Sequence, residues 1–219
     1  MPEGFHPPAE EYLKVAYELE EAGVPVIRAR LAERLGHSGP TVTETVRRLV
    51  TNGQLEVEGR SLKLTAAGRR RAETVVRRHR LAERLLADVI GLDWPKVHQE
   101  AGRWEHVISD DVEERLIAVL GNPSTCPHGN PIPGAGAPPR KLRSLSSART
   151  GEAVLLERIS ETVELDAQAL TYLDSHGLRP GATATVTDRA PDGTLTLAVG
   201  HATCAVGRAL ADELYVAAG

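Results

Sequence analysis

The chain has 219 residues, of which 41% are hydrophobic and 26% charged, with a formal net charge of −4 at pH 7. This is the composition of an ordinary soluble globular protein, and at this length two domains are the default. No apolar run approaches the roughly 18 residues of a membrane span and MPEGFHPP is not a signal peptide, so a membrane or exported protein is excluded as an expectation.

The first half reads as helices. EEYLKVAYELEEAG places apolar residues at 13, 15, 16 and 19, with Gly23 as a stop. VIRARLAERLG forms a short amphipathic helix ending at Gly36, HSG makes a turn, and PTVTETVRRLVTNG opens with Pro40 at a natural first helical position. Two short helices across so tight a Gly-containing turn predict a helix-turn-helix. QLEVEGRSLKLT follows with two alternating runs around Glu58-Gly59, a hairpin signal that turns the pattern into a winged helix. AAGRRRAETVVRRHRLAERLLADVIG is a long helix with a stripe at Val76, Leu81, Leu85 and Leu86. DWPKVHQEAGRWEHVI and SDDVEERLIAVLG are two further helices, with Asp93 and Ser109 as N-caps. The Pro-, Gly- and Ser-rich stretch from 122 to 150 reads as a linker. After it, EAVLLERI, ATATVTD, TLTLAV, CAVGRAL and ELYVAA surround one helical stretch, DAQALTYLDSHG, as expected of a small β-barrel with a helical insertion. The fold class is thus mainly α with a small β part, divided at 1–74, 75–121, 122–150 and 151–219.

Charge is unevenly distributed. Residues 1–25 carry one Lys against six Glu, a balance of −5, whereas residues 26–80 carry twelve Arg and one Lys against five Glu, a balance of +8. A basic block inside an acidic protein points to a polyanion-binding face, the alternative being a solvated arginine-rich helix surface. The second helix of the helix-turn-helix offers Thr41, Thr43, Glu44, Arg47 and Arg48 near its start, where recognition helices meet base edges, with Pro40 setting its first turn. Arg28, Ser38 and Thr41 suit phosphate contacts, and Arg60 at the hairpin tip suits a wing along the backbone. Glu44 can accept from cytosine N4. Double-stranded DNA is the expected partner. Cys126 and Cys204 form no CxxC pair and read as reduced thiols of a cytoplasmic protein.

VHQEAGRWEH concentrates two histidines and two glutamates in ten residues. His98 and His106 are eight residues apart, about 12 Å along a helix at 1.5 Å per residue, so they cannot share one ion. His79 and Glu83 are spaced i, i+4 on the long helix and, with His98, offer two imidazoles and a carboxylate for a divalent transition metal. Glu105 and His106 need a partner from elsewhere, for which the N-terminal helix offers Glu10 and Glu11. The same residues also fit surface salt bridging of Glu83 with Arg80 or Arg84 and of Glu105 with Arg103, and both readings stand at this point.

RARLAERLGHSGPTVTETVRRL, RRHRLAERLLADVIGLDWPKVHQEAGRWEH and CPHGNPIPG together resemble the diphtheria toxin repressor family of metal-dependent transcriptional repressors, over essentially the whole chain. The resemblance implies a winged-helix DNA-binding domain, a helical metal-binding and dimerisation domain, and a C-terminal SH3-like domain. It implies a homodimer that binds operator DNA when loaded with Mn(II) or Fe(II), with two metal sites per chain. His79, Glu83 and His98 match the family's ancillary site, completed by a Glu and a Gln for which Glu164 and Gln168 are the candidates, with Asp166 competing. Glu105 and His106 match the primary site. Iron-sensing members carry methionine where Glu11 stands and cysteine where Gly102 stands, so this chain replaces one soft ligand with a carboxylate and the other with a residue that could contribute only its backbone carbonyl or a water. Hard oxygen donors favour Mn(II) relative to softer metals, with Fe(II) as the alternative. A metallohydrolase is disfavoured by the lack of HExxH and of a nucleophile–base pair. A metal-independent winged-helix regulator is the remaining rival.

Overall fold

Residues 8–136 and 141–218 are described in a computed structural model of the chain. Residues 1–7, on which the signal-peptide exclusion rests, and 137–140, inside the expected linker, lie outside them. Contacts divide the chain into two units, Met1–His79 with Trp104–Ser109 and Arg80–Arg103 with Asp110–Gly219.

In the first unit the apolar positions of α1 (Pro8–Glu21) face α2 (Arg28–Leu35) and α3 (Gly39–Thr51). Tyr12, Leu13, Ala16 and Leu19 join Leu31, Val42, Val46 and Leu49 in one core, which also takes Leu55, Leu62 and Leu64 from the hairpin β1 (Leu55–Glu58) and β2 (Ser61–Leu64). Burying each of these aliphatic side chains contributes roughly 1.5–3 kcal/mol, enough for a small domain with few aromatics. Helix α2 ends on Gly36 in the left-handed conformation, and Ser38 caps α3 by accepting from the Thr41 N–H, so the turn is fixed from both sides. The hairpin pairs antiparallel with Glu58 opposite Ser61, leaving Gly59-Arg60 as its tip. Helix α4 (Ala66–Arg84) starts against the hairpin: a Cβ on Gly68 would lie 1.9 Å from the Gln54 carbonyl oxygen, so only glycine permits the approach.

The long helix predicted over residues 66–91 is α-helical only to Arg84 and continues as a π-helical turn, Leu85–Ile90, stopped by left-handed Gly91. Helices α5 (Trp94–Trp104) and α6 (Asp110–Val119) follow. The expected linker is not wholly loop: Arg143–Ser144 forms β3, paired to β8 (Leu214–Ala218). The remaining strands β4 (Ala153–Ile159), β5 (Thr183–Arg189), β6 (Leu195–Val199) and β7 (Ala202–Val206) complete an antiparallel sheet in the order β3-β8-β4-β5-β6-β7. The run CAVGRAL splits, its second half becoming α9 (Arg208–Asp212). The helical insertion is the short α7 (Glu161–Glu164) followed by α8 (Ala167–Ser175), whose N-cap is Asp166. Alternate residues of the sheet, including Val154, Leu156, Val186, Leu195 and Leu197, meet Leu170 and Leu173 of α8 in a core that also receives Trp94 from α5. On the same unit Val89, Ile90, Val112 and Val119 are 60%, 55%, 48% and 70% exposed, an unusual amount of aliphatic surface for two neighbouring helical segments. Among the described residues no helix is long and apolar enough to cross a membrane.

Candidate metal centres

In the first unit the acidic first turn of α1 meets the segment that follows α5. The His106 ring is 1% exposed, with Nε2 2.6 Å from Glu11 Oε1 and 3.3 Å from Glu105 Oε1, while Nδ1 lies 2.7 Å from Glu10 Oε2. One donor atom from each of Glu11, Glu105 and His106 falls within 4.8 Å of the others, the spacing of ligands around one ion. Burial alone would lower the His106 pKa, but the bonded Glu11 carboxylate, with Glu105 and Glu10, raises it above its ordinary value. Behind Glu105 sits Lys14, buried, with Nζ 2.8 and 3.0 Å from the two Glu105 oxygens and 3.3 Å from His79 Nδ1. His79 Nδ1 also bonds Glu105 Oε2 directly. Burial would lift the Glu105 carboxyl, yet Lys14 and His79 hold it well below the usual carboxylate range. Gly102 bears no side chain, and a Cβ there would meet nothing within 4 Å, so the position has open space where a ligating side chain would stand. The donor set is oxygen and imidazole nitrogen without sulfur, which fits a hard or borderline divalent cation.

In the second unit Glu83 of α4 and His98 of α5 converge with Glu164 of α7. His98 Nδ1 lies 3.1 Å from Glu83 Oε1 and 2.9 Å from Glu164 Oε2. His128 enters the same cluster, its Nδ1 3.3 Å from each of those two carboxylate oxygens. Cys126 joins it too: donor atoms of Glu83, Cys126 and His128 lie within 4.8 Å of one another, as do those of His98, Glu161 and Glu164. Burial would lower both imidazole pKa values, but Glu164 and Glu83 raise them, His98 well above its ordinary value. Burial together with Glu83 and Glu164 pushes the Cys126 thiol well up, so its thiolate form calls for a cation. His128 Nε2 is buried with no hydrogen-bond partner. A buried set of carboxylates, imidazoles and a thiol fits a divalent transition metal, which would take the place between the two carboxylates that the protonated imidazoles hold without it.

Cys126, His128 and Glu161 are the ligand candidates that sequence reasoning missed, the first two having been assigned to the linker. The loop carrying them is rigidly held. Cys126 N–H donates to Asn130 O at 2.8 Å and Gly129 N–H to Cys126 O at 2.9 Å, and Arg84 Nε donates to Thr125 O at 2.6 Å. Arg80 Nη1 donates to Pro131 O, and Asn130 Nδ2 donates to Ile159 O and Glu164 Oε1. Gly129 has φ +86°, and a Cβ there would stand 1.9 Å from the Glu157 carbonyl oxygen, so the turn presses directly on β4. The signal for these ligands lay in CPHGNPIPG itself, a cysteine and a histidine two apart beside an obligate glycine. Of the other expected ancillary residues, Glu164 is in the cluster. Gln168 is exposed on α8, its backbone N–H accepted by Asp166 Oδ1 at 2.9 Å, and Asp166 serves as the N-cap. His79 directs Nδ1 at Glu105 and Lys14 as described. Cys126 and Cys204 are free thiols.

The expected DNA-contacting side chains lie on the surface of the first unit. Ser38, Pro40, Thr41, Thr43, Glu44, Arg47, Arg48 and Arg60 are all exposed, and Arg28 is half-buried. Thr43 Oγ1 donates back to Gly39 O at 2.9 Å, and Ser38 and Thr41 share a hydroxyl hydrogen bond of 2.8 Å. Arg47 pairs with Glu44 at 2.8 Å across one turn, an exposed contact worth roughly 0–1 kcal/mol that a phosphate or base edge can replace. Tyr12 Oη bonds His37 Nδ1 at 2.9 Å, joining α1, next to Glu11, to the turn that aims α3.

A winged helix-turn-helix whose first helix carries metal-type donors, together with a second buried donor cluster, defines a metal-responsive DNA-binding regulator. The chain matches the family models for the iron dependent repressor N-terminal DNA binding domain over residues 5–61, the iron dependent repressor metal binding and dimerisation domain over 65–134, and the FeoA domain over 143–218. It is 49% identical over 205 residues to the iron-dependent repressor IdeR of Mycobacterium leprae, covering 88% of this chain and 89% of that protein. With the diphtheria toxin repressor of Corynebacterium diphtheriae it shares 45% over 199 residues, 86% and 87% of the two chains. The solved structure of a manganese-dependent transcriptional repressor in complex with manganese superposes with a TM-score of 0.87 at 36% identity, covering 96% of this chain and all of that one. The chain belongs to the iron-dependent repressor family that includes the diphtheria toxin repressor, a family of metal-dependent transcriptional repressors and not of enzymes.

Proposed function

We propose that this protein is a Mn(II)-activated repressor that dimerises and binds operator DNA of metal-homeostasis genes in the cytoplasm. The observation that carries the metal is the sulfur-free set of Glu11, Glu105 and His106. Fe(II) is the second reading, favoured by the names of the 45% and 49% identical relatives. Glu83, His98, Cys126, His128 and Glu164 form the second centre in this reading. The winged helix occupies 1–74, the helical domain 75–121, the linker 122–150 and the SH3-like domain 151–219.

Glu11, Glu105 and His106 would hold a divalent cation at the first centre, which would supply the charge that lets them face one another at close range. Glu11 then ties α1 to the segment bearing Glu105 and His106. Because Tyr12, Leu13, Ala16 and Leu19 of α1 share a core with Val42, Val46 and Leu49 of α3, holding α1 restrains α3. The Tyr12–His37 hydrogen bond restrains the turn before α3 in the same way. Fewer orientations of the recognition helix remain, so less ordering entropy opposes DNA binding. Coupling of this kind is reciprocal: cognate DNA tightens metal binding by the factor by which metal tightens DNA binding. The test is fluorescence anisotropy on duplexes selected by the protein from a random pool, titrated in parallel with Mn(II), Fe(II), Co(II) and Zn(II) at fixed salt. Mn(II) is expected to activate, and Glu11→Ala to abolish the activation. Binding that is equal with and without metal, or untouched in Glu11→Ala, overturns the reading.

A further inference from the structure

His106 is gripped on both edges of its ring. Glu10 and Glu11 are consecutive on α1, so their side chains leave the helix about 100° apart. The ring lies between them, Glu10 Oε2 2.7 Å from Nδ1 and Glu11 Oε1 2.6 Å from Nε2. The two ring nitrogens point to opposite sides, so only one of them can serve a given ion, and the hydrogen bond at the other decides which. Glu105 Oε1 resolves the choice, standing 3.3 Å from Nε2 on the same side as Glu11. A cation there is reached by Glu11, Glu105 and Nε2 together. Glu10 lies at the other edge, and its second oxygen, Oε1, is held 2.5 Å from Arg71 Nη2 on α4.

Resting on the reading of Glu11, Glu105 and His106 as a metal centre, we propose that Glu10 is a positioning residue for His106 and not a ligand. It accepts the Nδ1 proton, fixes the tautomer that presents Nε2, and is itself steered by Arg71. A carboxylate behind a ligating histidine orients the ring and makes it a stronger donor, and loss of such a partner weakens metal affinity roughly 10–100-fold. The arrangement also explains why two adjacent glutamates face one histidine: they do different work. The second carboxylate lets α1 report through two contacts on the same ring, one on the metal side and one behind it.

The experiment compares Glu10→Ala, Glu10→Gln and the wild-type chain in metal-buffered Mn(II) titrations, with a long-range 1H–15N correlation spectrum of the Zn(II)-loaded proteins. Glutamine keeps an oxygen that can accept the Nδ1 proton but loses the anionic charge of a ligand. Expected are a loss of about 10–100-fold for alanine, a loss of less than about tenfold for glutamine, and a wild-type His106 protonated at Nδ1 with Nε2 on the metal. Glutamine losing as much as alanine makes Glu10 a ligand, and alanine without effect makes it a bystander. Either result overturns the proposal, as does metal at Nδ1. Those outcomes leave the metal-centre reading standing, whereas a wild-type spectrum in which metal shifts no His106 signal overturns both. Because glutamine is isosteric with glutamate, a folding failure of the alanine variant leaves the glutamine variant and the spectrum to decide.

Discussion

Replacing Lys14 by methionine tests how the first centre is held together without metal. The Lys14 ammonium lies 2.8 and 3.0 Å from the two oxygens of Glu105, and the two side chains are 9% and 0% exposed. Methionine keeps the length of the aliphatic stem but removes the charge, leaving Glu105 buried against His79 and His106 without the ammonium. Breaking a buried pair by deleting one partner costs about 3–5 kcal/mol, since the remaining charge is uncompensated. For a chain of this size each kcal/mol shifts the melting temperature by roughly 2–4 °C, so the metal-free variant is expected to melt about 6–20 °C below the wild type. Mn(II) replaces the lost positive charge beside Glu105, so the metal-induced rise in melting temperature is expected to be larger in the variant than in the wild type. The pH dependence has a definite shape. Burial would lower the Lys14 pKa, but Glu105, Glu18 and Glu11 raise it above the ordinary lysine value, so its contribution is present below that value and lost only as pH rises through the higher folded one. The Glu105 pKa is depressed, so its contribution is present above the ordinary carboxylate range and lost only as pH falls through the lower folded value. The difference between variant and wild type is therefore expected to stay flat from about pH 5 to pH 10. Scanning calorimetry with and without Mn(II) at three pH values in that range measures it. A metal-free loss below about 2 °C, or no extra metal rescue, refutes the reasoning.

Two further substitutions probe the second unit. Cys126→Ser exchanges a soft donor for a hard one, so Zn(II) or Cd(II) affinity at the second centre is expected to fall by at least about tenfold while Mn(II) changes less. The thiolate-to-Co(II) charge-transfer band is expected to vanish from the absorption spectrum, and its persistence would show that Cys126 is not a ligand. Val119→Glu places a charge on a surface where Val119 is 70% exposed beside a groove of about 600 Å³ lined by Leu85, Val112 and Leu116. If this surface is the dimer contact, sedimentation should show the dimer dissociating at about tenfold higher concentration, with the circular dichroism spectrum unchanged, and an unaltered dimer would place the contact elsewhere.

Much of this fold was legible because it follows from periodicity and capping. The apolar spacing of α1, the Gly36 stop, Pro40 in the first turn of α3 and the Glu58-Gly59 hairpin are local signals, and each yields the predicted element. Helix rise alone separated His98 from His106, and the two face different partners, Glu83 and Glu164 for one and Glu10 and Glu11 for the other. What stayed hidden depends on tertiary contact. The π-helical turn at Leu85–Ile90 leaves no periodicity signal over six residues, and β3 is two residues long inside a Pro- and Gly-rich stretch. Lys14 sits between Leu13 and Val15 on a helix, where a lysine is ordinarily a surface charge with its head in water; the approach of Glu105, ninety-one positions on, offsets most of the cost of its burial, with Glu18 and Glu11 adding to it.

The loop of Cys126 and His128 carries the same lesson in sharper form. Composition marks 122–150 as linker, because proline and glycine are counted as breakers of regular structure. Yet those residues are also what allows a backbone to turn tightly while polar side chains enter a core. Gly129 lets the chain pass within contact of β4, Arg80 and Arg84 occupy the loop's carbonyls, and Asn130 ties it to Ile159 O and Glu164. A free linker leaves its polar backbone groups to water, whereas this one has them bonded by buried or half-buried side chains from the helices it joins. The distinction is not in the loop's composition but in the arginines of α4 and the glutamates of α4 and α7 that face it. Reading such a segment calls for asking which distant charges would be left unpaired if it were flexible. Here the buried carboxylates of Glu83 and Glu164 would each lose His128 as a partner, and the cysteine and histidine that meet them make a predicted spacer one wall of a candidate metal centre.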